Sequence, residues 1–325
     1  MNLVQSAVQA VVAAGGDSAA RLMERLEGRL FELANGHGLL LGRHAGDTIA
    51  AGGKRLRPLL LFLAAGAPPP ESETLLRSAV AVELVHSATL VHDDVLDGSP
   101  LRRGRPTVMA EGGRLAATAT GDLLFSRAFA ELTRTGSVAA VRVLSQASSE
   151  LATGELMQRA DAWRAVPTER YLERCRLKTA VLFRAACELG ALESADEHRV
   201  AGLAMFGERI GLAFQLLDDV LDVTGPPERT GKPQGADLLD GTVTLPLILA
   251  SERDPDLWAL DLRGVTTTRR AAEVCARIAD TGALEDSRTR ALDLVAVAKA
   301  DLPELPERQR AALELIADGV VERYS

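Results

Sequence analysis

Residues 71–97 read ESETLLRSAVAVELVHSATLVHDDVLD, an apolar run that ends in three aspartates, Asp93, Asp94 and Asp97. Its apolar residues recur at three- and four-residue spacing, the period of a helix and not of a strand. The run is apolar over more than one face, so the helix it predicts belongs in the middle of a bundle. Asp97, Gly98, Ser99 and Pro100 stop it, with glycine and proline where a helix should end.

At 100° per residue, the three aspartates point within about a 100° arc. Carboxylates crowded on one helix face repel one another, and the dipole at a helix C-terminus opposes them further. A cation relieves both. Oxygen-only ligands suit Mg²⁺, which keeps waters and takes one or two carboxylates plus substrate phosphates. The pattern returns at Asp218, Asp219 and Asp222, near the end of a second long apolar helix predicted over 196–224. One such cluster also fits a solvated acidic helix end. Two copies inside otherwise apolar helices favour metal. Facing each other across a bundle, they would form an acidic pocket for several Mg²⁺ ions around a diphosphate.

Further helices are predicted over 114–133, 137–164, 167–191, 269–281, 284–301 and 307–323, with breaks at Gly136, Pro167 and Pro303. Two-residue alternation and hairpin signals are nearly absent. There is no linker, low-complexity tract or repeat. The reading is all-α: a single domain over 1–325, a bundle of ten or more helices. Composition agrees, with 47% hydrophobic and 25% charged residues in 325, which excludes a disordered chain. A net charge of −8 argues against nucleic acid as a partner. Cys175, Cys187 and Cys275 are odd in number and lack CxxC spacing, against a disulfide framework or thiolate metal site and in keeping with a reducing compartment. Residues 1–14 lack a basic n-region, and the apolar stretch Leu59–Ala67 is too short to span a bilayer. A cytoplasmic protein without a membrane span is the expectation.

Basic residues are grouped despite the acidic balance. Lys54, Arg55 and Arg57 open a predicted helix, and Arg102, Arg103 and Arg105 follow the first acidic cluster. Lys178 lies inside an apolar helix between Leu177 and Ala180, and Lys232 in a Gly/Pro-rich loop. Such residues can hold phosphate oxygens, although solvated surface charge is the better explanation of any one of them taken singly. Lys178 is the sharpest case, because a lysine in that setting needs an anionic partner. His86 and His92, just before the first cluster, have positions that favour a site role. No GxxxxGK[ST], GxGxxG, HExxH or GxSxG motif is present.

The stretches GGKRLRP (52–58), ELVHSATLVHDDVLD (83–97), LRRGRPTV (101–108), GDLLF (121–125), LKTA (177–180), FQLLDDVLDVTG (214–225) and GKPQGADLLDG (231–241) occur in this order. With them the chain resembles the trans-isoprenyl (E-polyprenyl) diphosphate synthases, long-chain type, from about Gly52 to Pro246. The resemblance implies an isoprenoid-synthase-like all-α fold around a central cavity, usually in a homodimer. It implies Mg²⁺, three ions with substrate bound, held by Asp93, Asp94, Asp97, Asp218, Asp219 and Asp222. Arg102, Lys178, Thr179, Gln215 and Lys232 would then hold the allylic diphosphate, and Lys54, Arg57, His86 and Arg103 isopentenyl diphosphate. Asp93, Asp94, Arg102, Lys178 and Asp218 would carry the chemistry. One departure stands out: Thr242 occupies a position where many members have a second lysine.

The chemistry suits these residues. Departure of diphosphate places negative charge on its oxygens, which cations stabilise as it develops. The allylic cation is attacked by the double bond of isopentenyl diphosphate and a proton is lost. No strong nucleophile is needed, but an apolar tunnel that excludes water is. Thr89 and Ala88 lie four and five positions before Asp93, about one turn or roughly 5.4 Å below it. By family analogy a growing chain passes there, and short-chain synthases block the way with Phe or Tyr. Here Val85, Val82, Ala81 and Ser78 continue the series with nothing larger than Val. Small residues also permit close helix packing. The functional reading is a long product of thirty to forty carbons, with geranylgeranyl or farnesyl diphosphate as alternatives. Two other classes remain: a class I terpene cyclase, which would carry an Asn/Ser/Glu second metal motif, and a non-catalytic subunit of a heteromeric synthase.

Overall fold

The computed structural model of the chain describes residues 16–35, 39–50, 53–66, 69–102, 104–192, 196–226 and 232–322. Residues 1–14, read above for a targeting signal, and Arg103 lie outside the described residues. The fold is all-α, with more than ten helices among the described residues. Two compact units divide it: residues 1–148, 182–207 and 302–319 form the first, and 149–181, 208–301 and 320–325 the second.

In the first unit the helices are α1 (Asp17–Asn35), α2 (Leu39–Ala50), α3 (Leu56–Ala64), α4 (Glu73–Asp97) and α5 (Val108–Thr133). They are joined there by the first part of α6 (Val138–Asp161), most of α8 (Val181–Ala191), the start of α9 (Glu197–Thr224) and most of α15 (Glu307–Glu322). α4 is the predicted central helix. Ser72 caps it by accepting a hydrogen bond from the Leu75 amide at 3.4 Å, and Gly98 ends it at φ 62. Ala79, Val80, Ala81, Val82, Leu84 and Val85 are all at 0% exposure and Glu83 at 3%, so the middle of α4 is buried right round its circumference. Each such Leu or Val stabilises the fold by about 1.5–3 kcal/mol. Its main neighbour is α5. There a Cβ on Gly121 would overlap the His92 ring, so the glycine makes room for this side chain between the helices. Gly190 lets α8 approach the backbone of α3, because a Cβ there would overlap the Leu61 carbonyl.

The second unit holds α7 (Thr168–Cys175), α10 (Ala236–Leu239), α11 (Leu245–Ser251), α12 (Pro255–Trp258), α13 (Thr268–Asp280) and α14 (Ala283–Ala300), with the remainder of α6 and α9. α11 packs on α14, and α10 on α13. Asp254 caps α12, accepting from the amides of Asp256 and Leu257.

The predicted helices appear within a few residues of their expected ends, with two local differences. Residues 108–133 count as one helix, yet Gly113 at φ 74 and ψ 178 breaks it, so the regular run starts at 114 as predicted. The predicted helix 167–191 carries a π turn at Arg176–Ala180. A short antiparallel ribbon, β1 (Leu101–Arg102) with β2 (Arg105–Pro106), was not foreseen. By length and composition α4 and α9 could cross a membrane, but 72% and 50% of their apolar windows are buried, as in core helices of a soluble protein.

Candidate active site

In the first unit, the last turns of α4 carry the first cluster. Asp94 is buried at 5% exposure, Asp93 is half-buried and Asp97 is exposed. The ribbon after Gly98 turns the chain back, and Arg102 on β1 donates from Nε to Asp94 Oδ1 at 2.8 Å. Burial pushes the Asp94 carboxyl up and Arg102 pulls it down; the neighbouring charge of Asp97 adds to the rise. Asp94 and Arg102 line a cavity of about 250 Å³ with His44, Leu90, Val91 and Arg105 among its walls. Leu90 and Val91 precede Asp94 by four and three positions and so share its face of the helix. Val85, Ala88 and Thr89 do not line it. Val85 and Ala88 are fully buried, and the Thr89 hydroxyl donates to the His86 carbonyl at 2.8 Å.

Lys54, Arg57 and His86 are half-buried. The Arg57 guanidinium lies 4.4 Å from the centroid of the Phe183 ring. Between Lys54 and Arg57, Arg55 points inward. It donates to Glu83 Oε1 at 2.8 Å, to both oxygens of Glu27 at 2.7 and 3.2 Å, and to the Ile49 carbonyl at 3.0 Å. Its φ of 48 is one of two positive values among the described non-glycine residues. His92 turns toward α5, stacked 5.8 Å from Phe125, with Nε2 3.4 Å from both Thr118 O and Asp122 Oδ1.

In the second unit, the end of α9 carries the second cluster. Asp219 and Asp222 are buried at 2% and 3% exposure, and Asp218 is half-buried. Lys232 Nζ lies 2.7 Å from Asp222 Oδ1 and 3.6 Å from Asp237 Oδ1. The Asp237 amide donates to Asp222 Oδ2 at 3.2 Å. Asp237 brings a fourth carboxylate to the cluster. Sequence reasoning missed it, although it stands in the GKPQGADLLDG stretch five residues after Lys232. Burial and the Asp222 charge push Asp237 up to about 7. Burial and Asp237 likewise raise Asp219, and burial raises Asp222 against the opposing pull of Lys232. Thr242 donates its amide to the Asp237 carbonyl at 2.8 Å, closing the turn behind the cluster.

The π turn presents Lys178 and Thr179. Lys178 Nζ lies 2.5 Å from Glu155 Oε2, the anionic partner its setting requires. Gly154 makes the approach possible, since a Cβ there would stand 2.6 Å from the Lys178 amide nitrogen. The Thr179 hydroxyl donates to Gln215 Oε1 at 2.7 Å, and Gln215 Nε2 donates to Asp219 Oδ1 at 2.7 Å. Tyr171, also missed, donates its hydroxyl to Asp219 Oδ2 at 2.5 Å. Burial pushes the Tyr171 phenol well above its ordinary range.

This donor set fits a hard divalent cation. The ligating groups are all oxygen, and carboxylates held up in pKa by burial and by one another gain from added positive charge. Among the described residues no three ligating side chains converge on one point, so the cluster is not a finished protein cage. Mg²⁺ does not require one, because waters and substrate phosphates complete its shell.

The family model described as polyprenyl synthetase matches residues 40–276. Heptaprenyl diphosphate synthase component 2 from Geobacillus stearothermophilus is 43% identical over 250 residues, 76% of this chain and 78% of that protein. A geranylgeranyl diphosphate synthase from Methanosarcina mazei is 37% identical over 283 residues, 85% and 87% of the two chains. The crystal structure of a polyprenyl synthase from Caulobacter crescentus, complexed with calcium and isoprenyl diphosphate, superposes with a TM-score of 0.89 at 37% identity, covering 98% of both chains.

Proposed function

The chain belongs to the polyprenyl synthetase family and is a prenyltransferase, and we propose that it condenses isopentenyl diphosphate with an allylic diphosphate, head to tail, into a long all-trans polyprenyl diphosphate. The observation that carries this reading is that both acidic clusters lie at the ends of core helices, each with a buried carboxylate paired to a residue that can hold phosphate, Asp94 to Arg102 and Asp222 to Lys232.

Asp93, Asp94, Asp97, Asp218, Asp219 and Asp222 would hold Mg²⁺, which supplies electrostatic stabilisation of the charge that builds on a departing diphosphate. Use of a divalent metal is supported by the calcium in the Caulobacter complex. Arg102, Lys178, Thr179, Gln215 and Lys232 hold and orient the allylic diphosphate, and add their own positive and dipolar ends to its leaving oxygens. Lys54, Arg57, His86 and Arg103 fix isopentenyl diphosphate with its double bond toward the allylic carbon. The carbon–oxygen bond breaks, the new carbon–carbon bond forms, and the proton lost from the condensation product passes to the released diphosphate. Small apolar side chains keep water from the cation. Thr242 offers no cation to the terminal phosphate, so Lys232 carries that side of the site with less help.

The long product, thirty to forty carbons, is supported by the run of small residues at Ser78, Ala81, Val82, Val85, Ala88 and Thr89, and by the heptaprenyl name of the Geobacillus relative. The Methanosarcina relative favours geranylgeranyl diphosphate as the second reading. One catalytic domain over the whole chain is supported by the family match, which draws on residues of both units. A homodimer in the cytoplasm completes the proposal. The component name of the Geobacillus relative favours a heteromer as its competitor. Incorporation of labelled isopentenyl diphosphate by the purified chain alone separates these readings. Long prenyl alcohols after dephosphorylation support the proposal, cyclised hydrocarbon indicates a cyclase, and no product indicates a chain that needs a partner.

A further inference from the structure

The contacts around Asp219 lead to a residue with no task in the reaction described so far. Both Asp219 oxygens accept side-chain hydrogen bonds, Oδ1 from Gln215 at 2.7 Å and Oδ2 from Tyr171 at 2.5 Å. Gln215 is oriented in turn by Thr179, whose hydroxyl donates to its amide oxygen at 2.7 Å. Tyr171 is anchored on its other side. It is 1% exposed, and the Arg174 guanidinium lies 5.4 Å from its ring centroid. Arg174, itself 3% exposed, donates to the Val243 carbonyl and lies 3.6 Å from Asp161 Oδ2. Arg170, one residue before Tyr171, donates to Asp161 Oδ1 at 2.7 Å. The short helix α7 is thereby clamped to the end of α6, and the phenol has little freedom to follow a rotating carboxylate.

We propose that Tyr171 is a positioning residue that fixes the Asp219 carboxylate for the divalent metal. The inference rests on the reading of Asp218, Asp219 and Asp222 as metal ligands. A carboxylate oxygen has about two acceptor directions. With one direction on each oxygen taken by Tyr171 and Gln215, the plane of the group is set and its remaining lone pairs point where those donors do not. Binding a cation then requires less ordering of Asp219, which is the general advantage of a preorganised ligand. The bland alternative is that Tyr171 is a core aromatic whose hydroxyl has taken the nearest acceptor.

Tyr171→Phe separates the two, because it removes one oxygen and leaves the ring to fill its place. Mn²⁺ binding to the full chain, followed by the free-ion electron paramagnetic resonance signal with inorganic diphosphate present, reads the metal directly. Melting curves record the fold, and Asp218→Ala serves as the control for the cluster. The expected result is a loss of Mn²⁺ affinity of about 10- to 100-fold in Tyr171→Phe, with a clear loss in Asp218→Ala. Weak binding by Asp218→Ala with wild-type binding by Tyr171→Phe overturns the role of Tyr171 and leaves the metal reading intact. Wild-type binding by both overturns the two together. A lowered melting temperature with unchanged Mn²⁺ affinity assigns Tyr171 to the core and also overturns the proposal.

Discussion

Arg102 donates from Nε to Asp94 Oδ1 across 2.8 Å, so a residue read for diphosphate and a residue read for metal are partners. The Asp94 side chain is 7% exposed and that of Arg102 34%. With the carboxylate buried and the guanidinium one-third exposed, the bond spares Asp94 from being a buried charge without a partner. Its effect is orientation. The bond ties β1 to the last turns of α4 and holds the Arg102 guanidinium at the first acidic cluster.

Asp93→Ala and Asp218→Ala should each lower turnover by several powers of ten at saturating Mg²⁺. Each removes a carboxylate from a cluster proposed to hold the cation that would stabilise the departing diphosphate, a loss on the order of 4 kcal/mol or more of transition-state stabilisation. Steady-state rates over a Mg²⁺ series test this. Near-normal turnover in either variant would remove that cluster from the reaction.

Lys178→Ala should slow the reaction far more than it harms the fold. The Lys178 side chain is 25% exposed, and Glu155 keeps the hydrogen bond that Arg159 Nε donates to its other oxygen at 3.1 Å when the lysine is cut back. Losing one charged donor to the departing oxygens costs on the order of 10²–10³ in turnover. Gly154→Ala makes the complementary test, since its Cβ would press on the Lys178 backbone at 2.6 Å. It should cost about 1–3 kcal/mol of stability as well as activity. A Lys178→Ala protein with normal kinetics and a large drop in melting temperature would make this lysine structural.

Much of this was legible in sequence, and the reasons are physical. α4, α9 and the helices after residue 267 show the three-and-four period with glycine or proline at their ends, so existence and boundaries follow from local signals. The π turn does not, because one widened turn leaves the apolar pattern of 167–191 almost unchanged. Partners of the site residues were also hidden. Tyr171 and Asp219 are 48 positions apart, and Arg55 and Glu83 are 28 apart. No local pattern links such pairs. Asp94 and Arg102 were readable as site residues, but that they meet depends on a ribbon of two-residue strands too short to alternate.

Arg55 carries the largest expected effect on stability. Its guanidinium is the buried partner of Glu83, whose side chain is 4% exposed. Arg55→Leu would strand that carboxylate and should cost about 3–5 kcal/mol. Arg55→Leu combined with Glu83→Leu should recover most of the loss, because a matched apolar pair leaves no buried charge. Urea denaturation of the two variants measures both numbers. Equal loss in single and double variants would show that the Glu27 and Ile49 contacts, not Glu83, hold the turn before α3.

In the proposed reading, product length is set on the face of α4 one turn below Asp93. Ala88 is fully buried, so Ala88→Phe must find room for a ring in close packing, at about 1–3 kcal/mol or more. Thr89 is half-buried, and its hydroxyl donates to the His86 carbonyl of its own helix. Thr89→Phe is therefore the cleaner block. It should shorten the main product to fifteen or twenty carbons while condensation continues, as read by chromatography of the dephosphorylated products. Ala88→Phe should act in the same direction with a lower melting temperature. An unchanged product spectrum in both would put the floor of the tunnel on another helix, with the stretch 137–151 of α6 as the next to probe.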